Sequence, residues 1–299
     1  DVMMGGMESL PLVDREVACQ SYDVLMGAST VLCGCAYASL GGDGSFAALA
    51  GCDEYGDFVV RGLQEFGLNT TLVRRTDQVR TGVTVNLIYR NTRTQVTYPG
   101  TIAAFSGEGL DESVLRQFGH IHFGGVYLQH AFRPRIAELL EVARRLGVTS
   151  SLDPQWDGTE RWEHMDEWLP RLTWFFVNED EARSLTHTAT AEEALVALAG
   201  RTRCPLVKTG ERGALAYVGG EVKRIPSHVV HVVDTTGAGD SFDAGFLYAT
   251  LVKQWEVAEA AAFGNAVAAR SCTFVGGVAA RSSFADIQKF IGTNPVRPA

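Results

Sequence analysis

The residues best suited to chemistry lie between Val229 and Val252, in the run VVHVVDTTGAGDSFDAGFLYATLV. The β-branched stretch Val229–Val233 reads as a strand and Asp234–Gly239 as a tight turn. Phe242, Phe246, Leu247 and Leu251 recur at helical spacing and predict a helix from about Asp240 to Leu251. Gly237, Ala238 and Gly239 carry almost no side chain, so a ligand can approach the backbone and meet the free amides of the first helical turn. Those amides and the positive end of the helix dipole make an anion site. Asp240 sets a carboxylate beside it, an odd neighbour for an anion unless it handles a proton. Taken alone, G-x-G-D is more often a turn followed by a helix-capping acid. It is not a dinucleotide fingerprint, because Phe242 stands where the third glycine of G-x-G-x-x-G belongs. Nor is it a P-loop, since no G-K-[ST] follows.

Other polar residues stand at the ends of apolar runs. Trp174–Val177 is followed by Asn178-Glu179-Asp180-Glu181, a sequence that suits a helix N-terminus by itself. Pro205–Lys208 leads into Thr209-Gly210-Glu211-Arg212-Gly213, a glycine-rich turn before Leu215–Val218. Thr149–Leu152 ends in Asp153-Pro154-Gln155-Trp156, where Asp-Pro also favours a turn. Asn265 sits among alanines in a helix over 258–270 and reads as a packing polar group. His120 and His122 flank a strand, with no third histidine or cysteine nearby to complete a zinc set. The six cysteines show no C-x-x-C pair, and read as small buried hydrophobes in a reducing compartment.

The elements that must position these residues follow an α/β rhythm. A helix begins near Gly27-Ala28-Ser29, with Val31, Leu32, Cys35, Ala36 and Leu40 inward. A short strand is expected over 47–50, a loop over 51–56 and a helix over 58–66. From His120 strands alternate with helices, which implies a parallel sheet covered on both faces, with ligands outside the C-terminal strand ends. Residues 81–99 interrupt that rhythm with a hairpin turning at Arg90-Asn91-Thr92-Arg93. Its apolar face needs a partner, so it reads as a small sheet capping a binding site, paired with strands from residues 5–25. At 299 residues, 46% apolar and 20% charged, the chain can bury an ample core. Its net charge of −9 argues against nucleic-acid or anionic-membrane partners. No apolar run nears the ~18–20 residues of a membrane span, and no signal peptide is visible. These features predict a soluble cytoplasmic protein. The opening Asp1-Val2-Met3-Met4 lacks an initiator methionine, which suggests upstream residues beyond the sequence in hand.

DTTGAGDSF closely resembles the C-terminal signature of the ribokinase (PfkB) family of carbohydrate kinases, and further motifs follow in that family's order. The resemblance spans Asp1 to about Ala280. It implies a three-layer α/β/α fold with a mainly parallel central sheet and a small β lid, in a single domain over 1–299 with the lid at about 5–25 and 81–101. It also implies ATP-dependent phosphorylation of a hydroxymethyl group. Asp240 would be the base, with Gly237, Ala238 and Gly239 as the anion hole. N-x-x-E at Asn178 and Glu181 resembles the motif that orders Mg2+, with Glu181 acting partly through water. Lys208, Thr209, Gly210 and Gly213 resemble the nucleotide loop, and the helix holding Asn265 would lie beside adenine.

On the acceptor side, Asp1, Gly27, Ala28, Ser29, Asp53 and Asp153 fall where the family binds sugar or closes its lid. Three departures stand out: Ala28 for a second glycine, Leu32 for an asparagine, and Gln155 for the asparagine of D-P-N. The resemblance also suggests a monovalent cation, K+, at Asp234 and the carbonyls of residues 275–277, and a lid-to-lid homodimer. A nucleoside acceptor stays open, since Tyr98, Phe105, Phe123 and Tyr127 could stack on a base. So does a sensor without turnover, against which the intact Asp240 argues. Arg90, Arg93 and Arg133 are either solvated surface or contacts for a substrate phosphate.

Overall fold

A computed structural model describes residues 1–7, 9–89, 92–276 and 281–298. The central sheet has six strands: β7 (His120–Gly124), β8 (Thr149–Asp153), β9 (Trp174–Asn178), β10 (Pro205–Lys208), β11 (Ala214–Val218) and β12 (Glu221–Ile225), in the order β12-β11-β10-β9-β8-β7. Strands β7 to β10 run parallel, and β11 and β12 return antiparallel at one edge. The mainly parallel sheet expected from the βα alternation is therefore present. Because side chains alternate across a strand, the run WFFV in β9 feeds both faces. Phe175 and Val177 pack with Val207, Leu215 and Ile136, while Phe176 packs with Leu206, Phe242 and Phe246.

The first of those faces is covered by α5 (Ile136–Leu146), α7 (Glu179–Thr186) and α8 (Ala191–Ala199), with the short α4 (Glu112–Leu115) and α6 (Met165–Trp168) beside them. The second carries α1 (Ser29–Ser39), α9 (Ala238–Leu251), α10 (Val257–Ser271) and α11 (Phe284–Thr293). Helix α9 is buried along nearly its whole length, so it lies close to α10. A Cβ added at Gly245 would fall 2.9 Å from Gly264 Cα, a separation only two glycines permit.

β7 pairs only with β8 among the described residues, and β3 (Ala48–Gly51) and β4 (Val73–Thr76) form a separate parallel pair. Helix α2 (Glu54–Glu65) follows β3 and starts a turn earlier than its apolar spacing predicts, because Asp53 caps it. A second sheet joins β1 (Val2–Gly5), β2 (Ser21–Val24), β5 (Val83–Tyr89) and β6 (Thr92–Tyr98) in the order β2-β1-β5-β6. The expected hairpin and its pairing with the N-terminal strands are thus present; residues 90 and 91 of its turn, and the side chains of Arg90 and Arg93, lie outside the described residues. Its orientation differs from the expectation. The polar side chains Thr84, Gln95 and Thr97, together with Thr101 of α3 (Thr101–Ala104), line a cleft of about 1160 Å³. Asn86, and no aliphatic residue, is the buried side chain of β5.

The predicted strand Val229–Val233 does not form. Its ends are tied to loops, Val229 N to the Pro295 carbonyl and Val233 N to that of Cys272, and Val229, Val232 and Val233 are about half exposed. β-Branched residues favour a pleated surface only where an edge is there to pair with; here the run is an extended connection to α9. Cys33, Cys35 and Cys204 are buried, as expected, but Cys52 is exposed.

Candidate active site

The cleft runs between the polar face of the small sheet, the length of β7 and the segment Pro154–Trp156 that follows β8. Gly27, Ala28, Ser29, Thr235, Thr236, Gly237 and Asp240 line it. Gly237 takes the left-handed conformation (φ 72°) that turns the chain into α9. The next amide is partly committed, since Ala238 N donates to the Thr235 carbonyl at 3.2 Å. Gly239 faces away from the cleft, where an added Cβ would lie 3.2 Å from Lys208 Nζ. Of the three expected anion-hole residues, Gly237 lines the cleft, while Ala238 and Gly239 are partly exposed and follow it into the first turn of α9.

Asp240 is 6% exposed and stands in the first turn of α9. Ser29 Oγ donates to its Oδ1 at 2.5 Å, and Gln155 Nε2 reaches the same oxygen at 3.5 Å. Burial first, then the Asp153 charge, pushes its pKa up to about 7, against the pull of the Ser29 hydroxyl. That value suits a group that must take a proton near neutrality.

Beneath the turn lies a buried ion cluster. Lys208 Nζ meets Asp153 Oδ2 at 2.7 Å and Asp243 Oδ1 at 3.2 Å, with side-chain exposures of 12% for Lys208 and 1% for each aspartate. Burial works against the ammonium, but the two carboxylates hold its pKa above the usual lysine range. Burial also pushes Asp243 well up, whereas Asp153, although buried, is held below the usual range chiefly by Lys208. Expected at the nucleotide, Lys208 instead spends its charge on these acids.

Asn178 and Glu181 form a reciprocal capping box on α7, with both bonds 2.9 Å long. Glu181 is 3% exposed, and burial first, then the Asp153 charge, raises its pKa to about 7. One buried carboxylate that gains from a nearby cation fits Mg2+, which keeps several waters and takes phosphate oxygens. Among the described residues no three His, Cys, Asp or Glu side chains converge on a common metal position.

Several expected contacts serve the fold. Asp53 accepts from the Thr81 amide and hydroxyl and from the Gly56 amide at 2.7–2.8 Å, which consumes both oxygens. It stitches α2 to the start of β5. Asn265 is buried and donates to the Ile225 carbonyl at 2.8 Å, fastening α10 to the end of β12. Thr209 turns its hydroxyl onto the Gly213 carbonyl at 3.0 Å. Gly213 (φ 98°) leaves no room for a Cβ against the Ile225 carbonyl, while Gly210 is open on the outer side. The nucleotide-loop residues thus lie outside the lining of this cleft. Leu32 points into the core. Asp1 borders the cleft, its carboxylate against Gly27. Asp234 accepts from the Thr236 amide and from Gly276 N at 2.9 Å; Gly277 lies outside the described residues.

Among the aromatic candidates, Phe123 and Tyr127 are buried, Phe105 packs on Phe132 at 4.9 Å, and Tyr98 is exposed. Arg133 lies over the Tyr127 ring. His120 and His122 border the cleft, and Ser151 Oγ stands 2.8 Å from a ring nitrogen of each. The sequence marked Gln155 only as a departure from D-P-N and gave Trp156 no role, yet both line the cleft, with Trp156 45% exposed on its wall. Their place just after Asp-Pro at a strand's C-terminal end was the available signal. No helix among the described residues is long and apolar enough to cross a membrane.

Known proteins resemble this chain along most of its length. An Arabidopsis thaliana protein named "Probable fructokinase-5" is 27% identical over 282 residues, covering 86% of this chain and 85% of its own. The ribokinase of Haemophilus influenzae is 26% identical over 263 residues, 85% of this chain and 83% of its own. The solved Arabidopsis thaliana ribokinase, complexed with ribose and ATP, superposes with a TM-score of 0.82 at 22% identity, over 97% of this chain and 95% of that one. Such a superposition shows that the two share the ribokinase fold. Residues 33–282 match the pfkB family carbohydrate kinases, so this chain belongs to that family and is a phosphotransferase acting on a sugar hydroxyl.

Proposed function

We propose that this protein transfers the γ-phosphoryl group of ATP to a hydroxymethyl group of a sugar, with Asp240 as the general base. The observation that carries the reading is Asp240 itself, a buried carboxylate with a pKa near 7 at the N-terminus of α9, open to the cleft. Phosphoryl transfer asks for positioning and charge neutralisation more than for covalent chemistry. Asp240 would take the proton of the attacking hydroxyl, and the Gly237–Gly239 turn with the dipole of α9 would face the transferring group. Mg2+ beside Glu181 would neutralise phosphate charge, and Asp1 with Gly27 would hold acceptor hydroxyls. The small sheet would act as a lid, within a single domain, that excludes water. K+ at Asp234 is a separate part of the proposal.

The test is ADP release with Mg-ATP over hexoses, pentoses and nucleosides, with and without K+, for the wild type and Asp240→Asn. Acceptor-dependent release that falls by roughly 10³-fold or more in the variant is expected. Wild-type turnover by Asp240→Asn removes the base assignment. A nucleoside outpacing every sugar moves the acceptor class, and ATP binding with no release on any acceptor leaves a sensor.

A further inference from the structure

We infer that Ser29 and Gln155 are positioning residues that hold Asp240 through Oδ1, so that its other oxygen is turned to the acceptor hydroxyl. The inference rests on the reading of Asp240 as base and adds which groups aim it. Ser29 Oγ donates to Oδ1 at 2.5 Å, and Gln155 Nε2 donates to Ser29 Oγ at 3.2 Å while reaching Oδ1 at 3.5 Å. A hydroxyl has one proton to give. Having given it to Asp240, Ser29 needs a donor, and the Gln155 amide is that donor.

Gln155 is itself held in place. Its φ of 60° is a left-handed conformation, which on a residue other than glycine points to a position fixed by its surroundings. Its backbone N–H donates to Asp153 Oδ1 at 3.1 Å, Asp153 Oδ2 receives Lys208, and Lys208 reaches Asp243, which lies three residues beyond Asp240 on α9. The chain of contacts leaves the base through Ser29 and returns to the helix that carries it. This gives the buried ion cluster a task, since such clusters seldom add net stability. The ionisable groups around Asp240 are Asp153 on β8, Lys208 on β10, Asp243 on α9 itself, Glu181 on α7 and Cys33 on α1.

The test follows the aspartate carboxyl carbons by NMR against pH, with the Asp240 signal assigned by its loss in Asp240→Asn. Removing a hydrogen bond to the ionised form raises a carboxyl pKa, so Ser29→Ala should move the Asp240 midpoint upward by roughly one unit, and Ser29→Thr should restore it. Gln155→Ala should move it the same way. Kinetics on the best acceptor should show kcat lowered ~10- to 100-fold with KM little changed, and the acidic limb of the kcat profile shifted alongside. Should an alanine variant fail to fold, Gln155→Glu keeps the side-chain length and sets a like charge beside Asp240, again raising the midpoint. An unmoved midpoint, or a loss confined to KM, overturns the positioning role. If these variants behave as expected while Asp240→Asn retains turnover, the orientation stands and the assignment of the base falls.

Discussion

At Asp240, function and stability pull in opposite directions. Its folded pKa near 7 lies well above the usual carboxylate range because burial and Asp153 disfavour the charge. A raised carboxyl binds its proton more tightly in the native state, so this group favours folding at low pH and loses that advantage as pH rises through about 7. Asp240→Asn keeps an oxygen acceptor for Ser29 and removes the charge. The variant should therefore lose activity yet be more stable than the wild type at pH 8, by a few kcal/mol at most, seen as a higher Tm, with the gap closing as pH falls from about 7 to about 4. Thermal melts of both proteins across that range check it; a wild type as stable as the variant at pH 8 shows that Asp240 carries no buried charge there. The same ionisation predicts that kcat/KM for the acceptor rises with pH through about 7.

At the scale of elements, the entry to α1 carries the plainest strain. Ala28 has φ 70° and ψ 135°, a conformation suited to glycine, and it is the position where the family signature has its second glycine. Ala28→Gly should relieve about 1–3 kcal/mol of strain and return part of that through a more flexible unfolded chain. The net expectation is stabilisation by about 1 kcal/mol. Denaturant unfolding with an unchanged m value is the measurement, and a lowered midpoint shows that the alanine is not strained. Most of these elements were legible in the sequence. The spacing in α1 and α9 and the parallel strands β7 to β10 follow from side-chain periodicity, which is a local property. Val229–Val233 misled because β-branched residues state a preference for a sheet without naming a partner strand. Helix α2 began early because a cap, Asp53, outweighed apolar spacing.

For the whole molecule, the cleft lies between residues of the central sheet and the polar face of the small sheet, the proposed lid. If that lid closes on the acceptor, hydrogen exchange in β5 and β6 should slow when acceptor and a nonhydrolysable nucleotide are bound, while β8 to β10 change little. Equal protection in both sheets without ligand removes the lid. The central strands have the better claim to rigidity, being buried on both faces by the clusters around Phe175 and Phe176.

By itself the sequence determined the family and the fold class, and it singled out Asp240 as the expected base. These rest on contiguous motifs and on periodicity, and both survive in a linear string. It could not assign partners to polar side chains. Asn178 and Glu181 serve as a cap whatever else they bind, Asp53 and Asn265 are consumed by backbone groups, and Lys208 is locked between Asp153 and Asp243. Which hydrogen bond a buried polar group makes depends on what the fold brings within about 3 Å of it. Ser29, Gln155 and Asp240 are separated by 126 and 85 residues, and only the tertiary structure brings them together.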